Sequence, residues 1–201
     1  AIYSADVRAE MDRMVAAFHA AETYGILRVA LRWLSVRLDR FETELLDAVR
    51  LEAAERPGDY PTLAYVLCRF LEATNPPAPW WVLVDELTRF AADAWGLDGD
   101  DPEWTAVRQL QLHVLPDHGR TFPDQVELDL DVVTWLRDRV TARDLGTPAP
   151  DLAGYGAATV EVSDPHRTCL QLGKPRELMG QHSFELAWPG ARHVVHRTEP
   201  A

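Results

Sequence analysis

The sequence predicts a mainly α protein: a multi-helix orthogonal or bundle-like domain with a small C-terminal antiparallel β appendage. Three observations carry this. Apolar residues recur at three- and four-residue spacing up to about position 146. Pro148, Pro150, Gly154 and Gly156 then mark a seam. Beyond it, apolar and polar residues alternate in short runs. The expected divisions are a helical domain 1–146, a linker 147–156 and a β-rich appendage 157–201.

Residues 4–24 read as an amphipathic helix. Ser4 is the N-cap, and Val7, Met11, Met14, Val15 and Phe18 form its apolar face. Residues 26–55 read as one long core helix, because Leu27, Leu31, Leu34, Leu38, Phe41, Leu45 and Ala48 keep a four–three rhythm. Arg56-Pro57-Gly58-Asp59 ends it. A third helix spans 61–74, with Pro61 in its first turn and Asp59 as a candidate cap. Asn75 to Pro79 form a stiff connector. A helix over 80–96 closes at Gly96, and Asp101-Pro102-Glu103 opens another that Pro116 stops. Residues 116–128 read as a loop. Val132, Val133, Leu136 and Val140 mark a short last helix with Asp129 or Asp131 at its start. The tail offers strands near 159–162, 168–172, 183–188 and 193–196. A sheet that small needs the helices or another domain to cover one face.

The net charge is −12, with 20 Lys and Arg against 32 Asp and Glu. Of the basic residues, only Lys174 is not arginine. This bias fits a GC-rich genome and is no sign of phosphate binding. Residues 84–151 hold 15 acids against six Arg. So acidic a surface repels a phosphate backbone, so nucleic acid and anionic membranes are not expected partners. No apolar run reaches membrane-spanning length. Cys68 and Cys169, 101 positions apart, form no CxxC motif and fit a reducing, cytoplasmic compartment. The start Ala1-Ile2-Tyr3-Ser4 has no initiator Met and no signal-peptide pattern. It predicts a C-terminal part of a longer polypeptide, or a trimmed product.

No complete catalytic or cofactor motif is present. The serines lie in no GxSxG context, and the glycines form neither GxGxxG nor GxxxxGK[ST]. Glu-x-x-His repeats of a carboxylate metal bundle are absent. His166, His182, His193 and His196 crowd the tail, but three-residue spacing puts the last two on opposite faces of a strand. No metal site is therefore expected. Asp85-Glu86 is expected on a solvated helix face, and Trp33, Trp80, Trp81 and Trp95 in the core. The candidate substrate-binding residues are His113, His118 and Arg120, around a glycine-containing loop with Asp117 and Asp124 nearby. Such a loop between helices is a common place for function, and an Arg beside a His can hold a carboxylate or phosphate. The structural alternative has Asp117 capping, Gly119 turning and Arg120 in a surface ion pair.

Leu110-Gln111 with Leu115-Pro116, Phe122-Pro123, Val126-Glu127-Leu128, and Asp131-Val132-Val133 before Trp135 resemble the end of some cobalamin-dependent radical-SAM proteins. The resemblance covers about residues 60–140. It implies a non-catalytic C-terminal accessory domain that helps shape or close the substrate site. S-adenosylmethionine, a 4Fe-4S cluster and cobalamin would be bound by upstream domains of the same chain, and none by this part. The family's CxxxCxxC motif is absent, so no catalytic residue carries over. The alternatives are a free-standing acidic helical interaction module, or a small helical enzyme or ligand-binding protein using Trp, His and Arg.

Overall fold

The computed structural model describes residues 3–23, 25–69, 79, 81–115, 121, 123–163 and 194–197. It is mainly helical, with a small antiparallel sheet. The helices are α1 (Ala5–Phe18), α2 (Arg28–Leu38), α3 (Glu42–Glu55), α4 (Pro61–Ala64), α5 (Trp81–Trp95), α6 (Pro102–His113) and α7 (Val132–Asp144). π-helical turns continue α1 over His19–Thr23 and α4 over Tyr65–Arg69. The strands are β1 (Asp124–Leu128), β2 (Ala158–Ser163) and β3 (Val194–Arg197).

Several boundaries follow from local chemistry. Ser4 Oγ accepts the Val7 amide at 3.3 Å. Asp101 accepts the Glu103 and Trp104 amides, and Asp131 accepts the Thr134 amide. Each occupies the N-cap position, where a short polar side chain satisfies amides that the helix leaves orphaned. Gly96 takes φ +68° at the end of α5, a left-handed conformation that glycine adopts without Cβ strain.

The expected single helix over 26–55 is two helices. Asp39 adopts φ 50°, with its amide bonded to the Val36 carbonyl and that of Arg40 to the Ser35 carbonyl. This is a Schellman closure with aspartate in the left-handed position usually held by glycine. Asp is among the few residues that tolerate it, so no Gly or Pro announces the break. Phe41 leaves the apolar stripe and is exposed, whereas Leu27, Leu31, Leu34 and Leu45 stay buried.

Three further expectations change. Asp59 does not cap α4. Tyr60 is its N-cap and offers no side-chain bond, and the Thr62 and Leu63 amides instead donate to the Glu86 carboxylate at 2.8–3.0 Å. Glu86 is therefore buried, not solvated; only its neighbour Asp85 is exposed, paired with Arg108. Within the expected loop 116–128, residues 124–128 are strand β1, although residues 116–120 and 122 lie outside the description. Trp81 is exposed, while Trp33 is buried and Trp80 lies outside the described residues.

The sheet order is β1-β2-β3. Val126 pairs in register with Val160, Leu128 with Ala158 and Val162 with Val195. Val126, Leu128, Val160 and Val162 are buried in the same apolar core as Trp33, Leu34, Trp104 and Trp135, and so is Leu152. The possible strands at 168–172 and 183–188 fall outside the described residues, as do Cys169, His166, His182 and His193.

A second helix is capped from a distance. Leu27, the N-cap of α2, offers no side-chain bond. The buried Gln111 of α6 accepts the Val29 and Ala30 amides at 3.0 and 3.2 Å and donates to the Gly25 carbonyl at 3.0 Å.

Replacing Gln111 by Leu strands two buried amides and a carbonyl, and should cost about 3 kcal/mol in denaturant melts. Glu86→Leu should cost a similar amount, whereas Glu86→Gln, which keeps an acceptor, should cost about 1 kcal/mol. Equal losses for Leu and Gln at position 86 would show that the amides do not need the acceptor. Thr62 Oγ1 is buried without a hydrogen-bond partner among the described residues. Thr62→Val should therefore raise stability by about 1 kcal/mol, and a loss in the same melts would mean the hydroxyl is satisfied.

Candidate functional site

Of the three residues singled out in sequence, the structure describes only His113; His118 and Arg120 lie outside the described residues. His113 ends α6, and its Nδ1 lies 2.8 Å from Oδ2 of Asp124, the first residue of β1. Both side chains are about one-third exposed. The contact joins a helix end to a strand start.

A second cluster escaped the sequence reading. Glu22 lies in the π-helical turn after α1, where Oε2 accepts Arg28 Nε and Arg32 Nη2, each at 3.2 Å. Arg28 also donates to the Glu22 carbonyl, which fixes the turn to the start of α2. Glu22 Oε1 is buried without a hydrogen-bond partner among the described residues. Burial pushes the Glu22 carboxyl above its ordinary range against the pull of the two arginines, and pushes the Arg28 guanidinium down. Glu42, at the start of α3, adds its negative charge to this environment. Glu42 in turn accepts from Arg139 of α7, whose Nη2 also reaches Ser35 Oγ at 3.5 Å.

The charges lead to a cleft of about 490 Å³ beside the Asp39 break. Ser35, Arg40 and Phe41 line one side, and Arg139, Arg143 and Thr147 the other. The break brings Arg40 and Phe41 into the lining of the cleft. A helix continuing through residue 41 would have placed Phe41 on the buried stripe. The signal present in the sequence was Glu42-Thr43-Glu44, an acid-rich first turn directly after Phe41.

A third group holds down the segment before β2. Trp135 Nε1 donates to the Pro150 carbonyl, Asp151 caps a 3-10 turn, and Tyr155 donates to Asp138. Glu103 accepts from Trp33 Nε1 at 2.8 Å, and the Asp151 carboxyl is its neighbour. Burial raises the Glu103 carboxyl above its usual range; Trp33 opposes this and Asp151 adds to it. Burial and the Asp138 carboxylate push the Tyr155 phenol up to about 12. Among the described residues, no three His, Cys, Asp or Glu converge as a metal site would require. No described helix is long and apolar enough to cross a membrane.

Glu103 keeps its proton to higher pH folded than unfolded. Above about pH 4.5 the folded state thus binds more protons, and stability falls as pH rises through the folded value. Glu103→Gln keeps an acceptor for Trp33 and gains a donor for Asp151. It should flatten this fall and raise the melting temperature at neutral pH. An unchanged pH slope in thermal melts would show that Glu103 does not set it. No family model, curated protein or solved structure matches this chain.

Proposed function

We propose that the chain is a non-catalytic helical accessory domain of a cobalamin-dependent radical-SAM enzyme, docked on the catalytic part of the same polypeptide. The observation that supports this most is the apolar face of α1. Val7, Met11, Val15 and Phe18 are 47%, 51%, 55% and 44% exposed. At 3.6 residues per turn they fall within an arc of about 80°. The helix meets the rest of the molecule along the adjoining flank, where Met14 is half-buried, Ala17 is buried and Glu10 meets Arg50. Scattered exposed apolar residues are ordinary, but a contiguous row marks a surface that something covers. The residues that resemble the end of radical-SAM proteins give that surface a partner. S-adenosylmethionine, the iron–sulfur cluster and cobalamin would be bound by the domain that α1 covers, and the acidic surface would face solvent. Nucleic acid and membrane have no part in this reading.

The test is to determine the polypeptide in which this sequence occurs and to alter α1 within it. A CxxxCxxC motif ahead of Ala1 supports the proposal; a polypeptide without one overturns it. In the whole enzyme, Met11→Glu with Val15→Glu should cut turnover roughly tenfold by loosening the docked domain. The isolated chain carrying both changes should lose no more than about 0.5 kcal/mol per site, because exposed substitutions rarely cost more. Full turnover in the double variant would place α1 on the outer surface.

A further inference from the structure

From the cleft at the Asp39 break we infer that it is a binding site for a small oxyanion, a carboxylate or phosphate, carried on an aromatic group. Three arginines, Arg40, Arg139 and Arg143, line one cleft of a chain whose acids outnumber its bases. Guanidinium forks match carboxylate and phosphate oxygens with paired donors. Arg139 is the fixed member. It is only 12% exposed, and its ion pair with Glu42 and its bond to Ser35 both use Nη2. Arg40 and Arg143 are the adaptable members. Arg40 is 42% exposed and stands 3.8 Å from Glu44, while Arg143 is 70% exposed and stands 3.4 Å from Asp144. Exposed pairs this long are worth little, so an incoming oxyanion can displace either carboxylate.

Helix chemistry also gives reasons for cations here. Arg143 sits in the last turn of α7, where the helix dipole favours positive charge. That places the guanidinium without occupying its donors. The aromatic half of the assignment rests on Phe41. It is 73% exposed, more than any other large apolar residue described, and it lines the same cleft. Asp39 holds the left-handed conformation that presents it, at a cost no glycine was used to avoid. A ring set on Phe41 gains offset or edge contact while its acid group meets the arginines. This assignment concerns a different surface from α1 and does not depend on the accessory-domain reading.

The experiment is calorimetric titration of the purified chain with phenyl phosphate, benzoate, inorganic phosphate and benzylamine. Phenyl phosphate and benzoate should bind roughly tenfold more tightly than inorganic phosphate, and benzylamine should not bind. Arg40→Gln and Arg143→Gln, both exposed and safe for the fold, should each weaken the aryl oxyanions roughly tenfold. Phe41→Ser should erase the advantage of phenyl phosphate over inorganic phosphate while leaving inorganic phosphate unchanged. Melting temperatures of the variants establish that each is folded. Absence of binding by either aryl oxyanion, benzylamine binding as tightly, or aryl oxyanion binding that survives all three substitutions would overturn the assignment.

Discussion

Among the described helices, α2, α3 and α4 begin without a side-chain cap of their own, and the fold depends on how α2 and α4 obtain one. α2 starts at Leu27 and α4 at Tyr60, and neither side chain accepts an amide. The acceptors come from elsewhere: Gln111 on α6 serves α2, and Glu86 on α5 serves α4. Gln111 and Glu86 are almost completely buried. Buried polar groups are tolerated when their bonding is complete, and here the same bonds complete the helix ends. They also fix which helices are neighbours. An apolar stripe tolerates small slides along its length, whereas an amide pair held by one side-chain oxygen does not. The hydrophobic core supplies attraction between α2 and α6 and between α4 and α5; the two distant caps supply the register.

This division explains what could be read from the sequence. Ser4, Asp101 and Asp131 were legible because each cap acts on an amide two or three residues away. Gln111 and Glu86 were not, since their partners lie 81–82 and 23–24 positions distant and nothing local distinguishes them from surface residues. The mainly helical class followed from periodicity, and so did the first strand of the tail. The break at Asp39 did not, because the apolar rhythm runs across it undisturbed and the turn uses Asp where Gly is the usual signal. β1 was missed for a different reason: Asp124 to Leu128 is short, and its partners in β2 lie 30 to 38 positions away. The sequence placed His113 and Asp124 near one another, and the structure brings them into contact. The arginine cleft was invisible, since residues 35–41 and 139–147 meet only once the long helix is cut in two.

Periodicity also says less than it seems about burial. The α1 pattern is as amphipathic as expected, yet Val7, Met11, Val15 and Phe18 look outward, and of its alanines only Ala17 is buried. A three–four rhythm identifies a face that avoids water; it does not say whether this chain or another surface covers it.

The π-helical turn at His19–Thr23 gives that face its direction. A π turn is an α-helix carrying one extra residue, and each residue turns the axis by about 100°. Everything N-terminal to it is therefore rotated relative to Ala20 and Ala21, which are anchored in the core. Deleting one residue between His19 and Thr23 would leave the composition of α1 untouched and swing its apolar row by about a quarter turn around the molecule. The direction in which this protein offers its uncovered surface is thus set by a count of residues, and an insertion or loss of one in that turn is the smallest genetic change that redirects it.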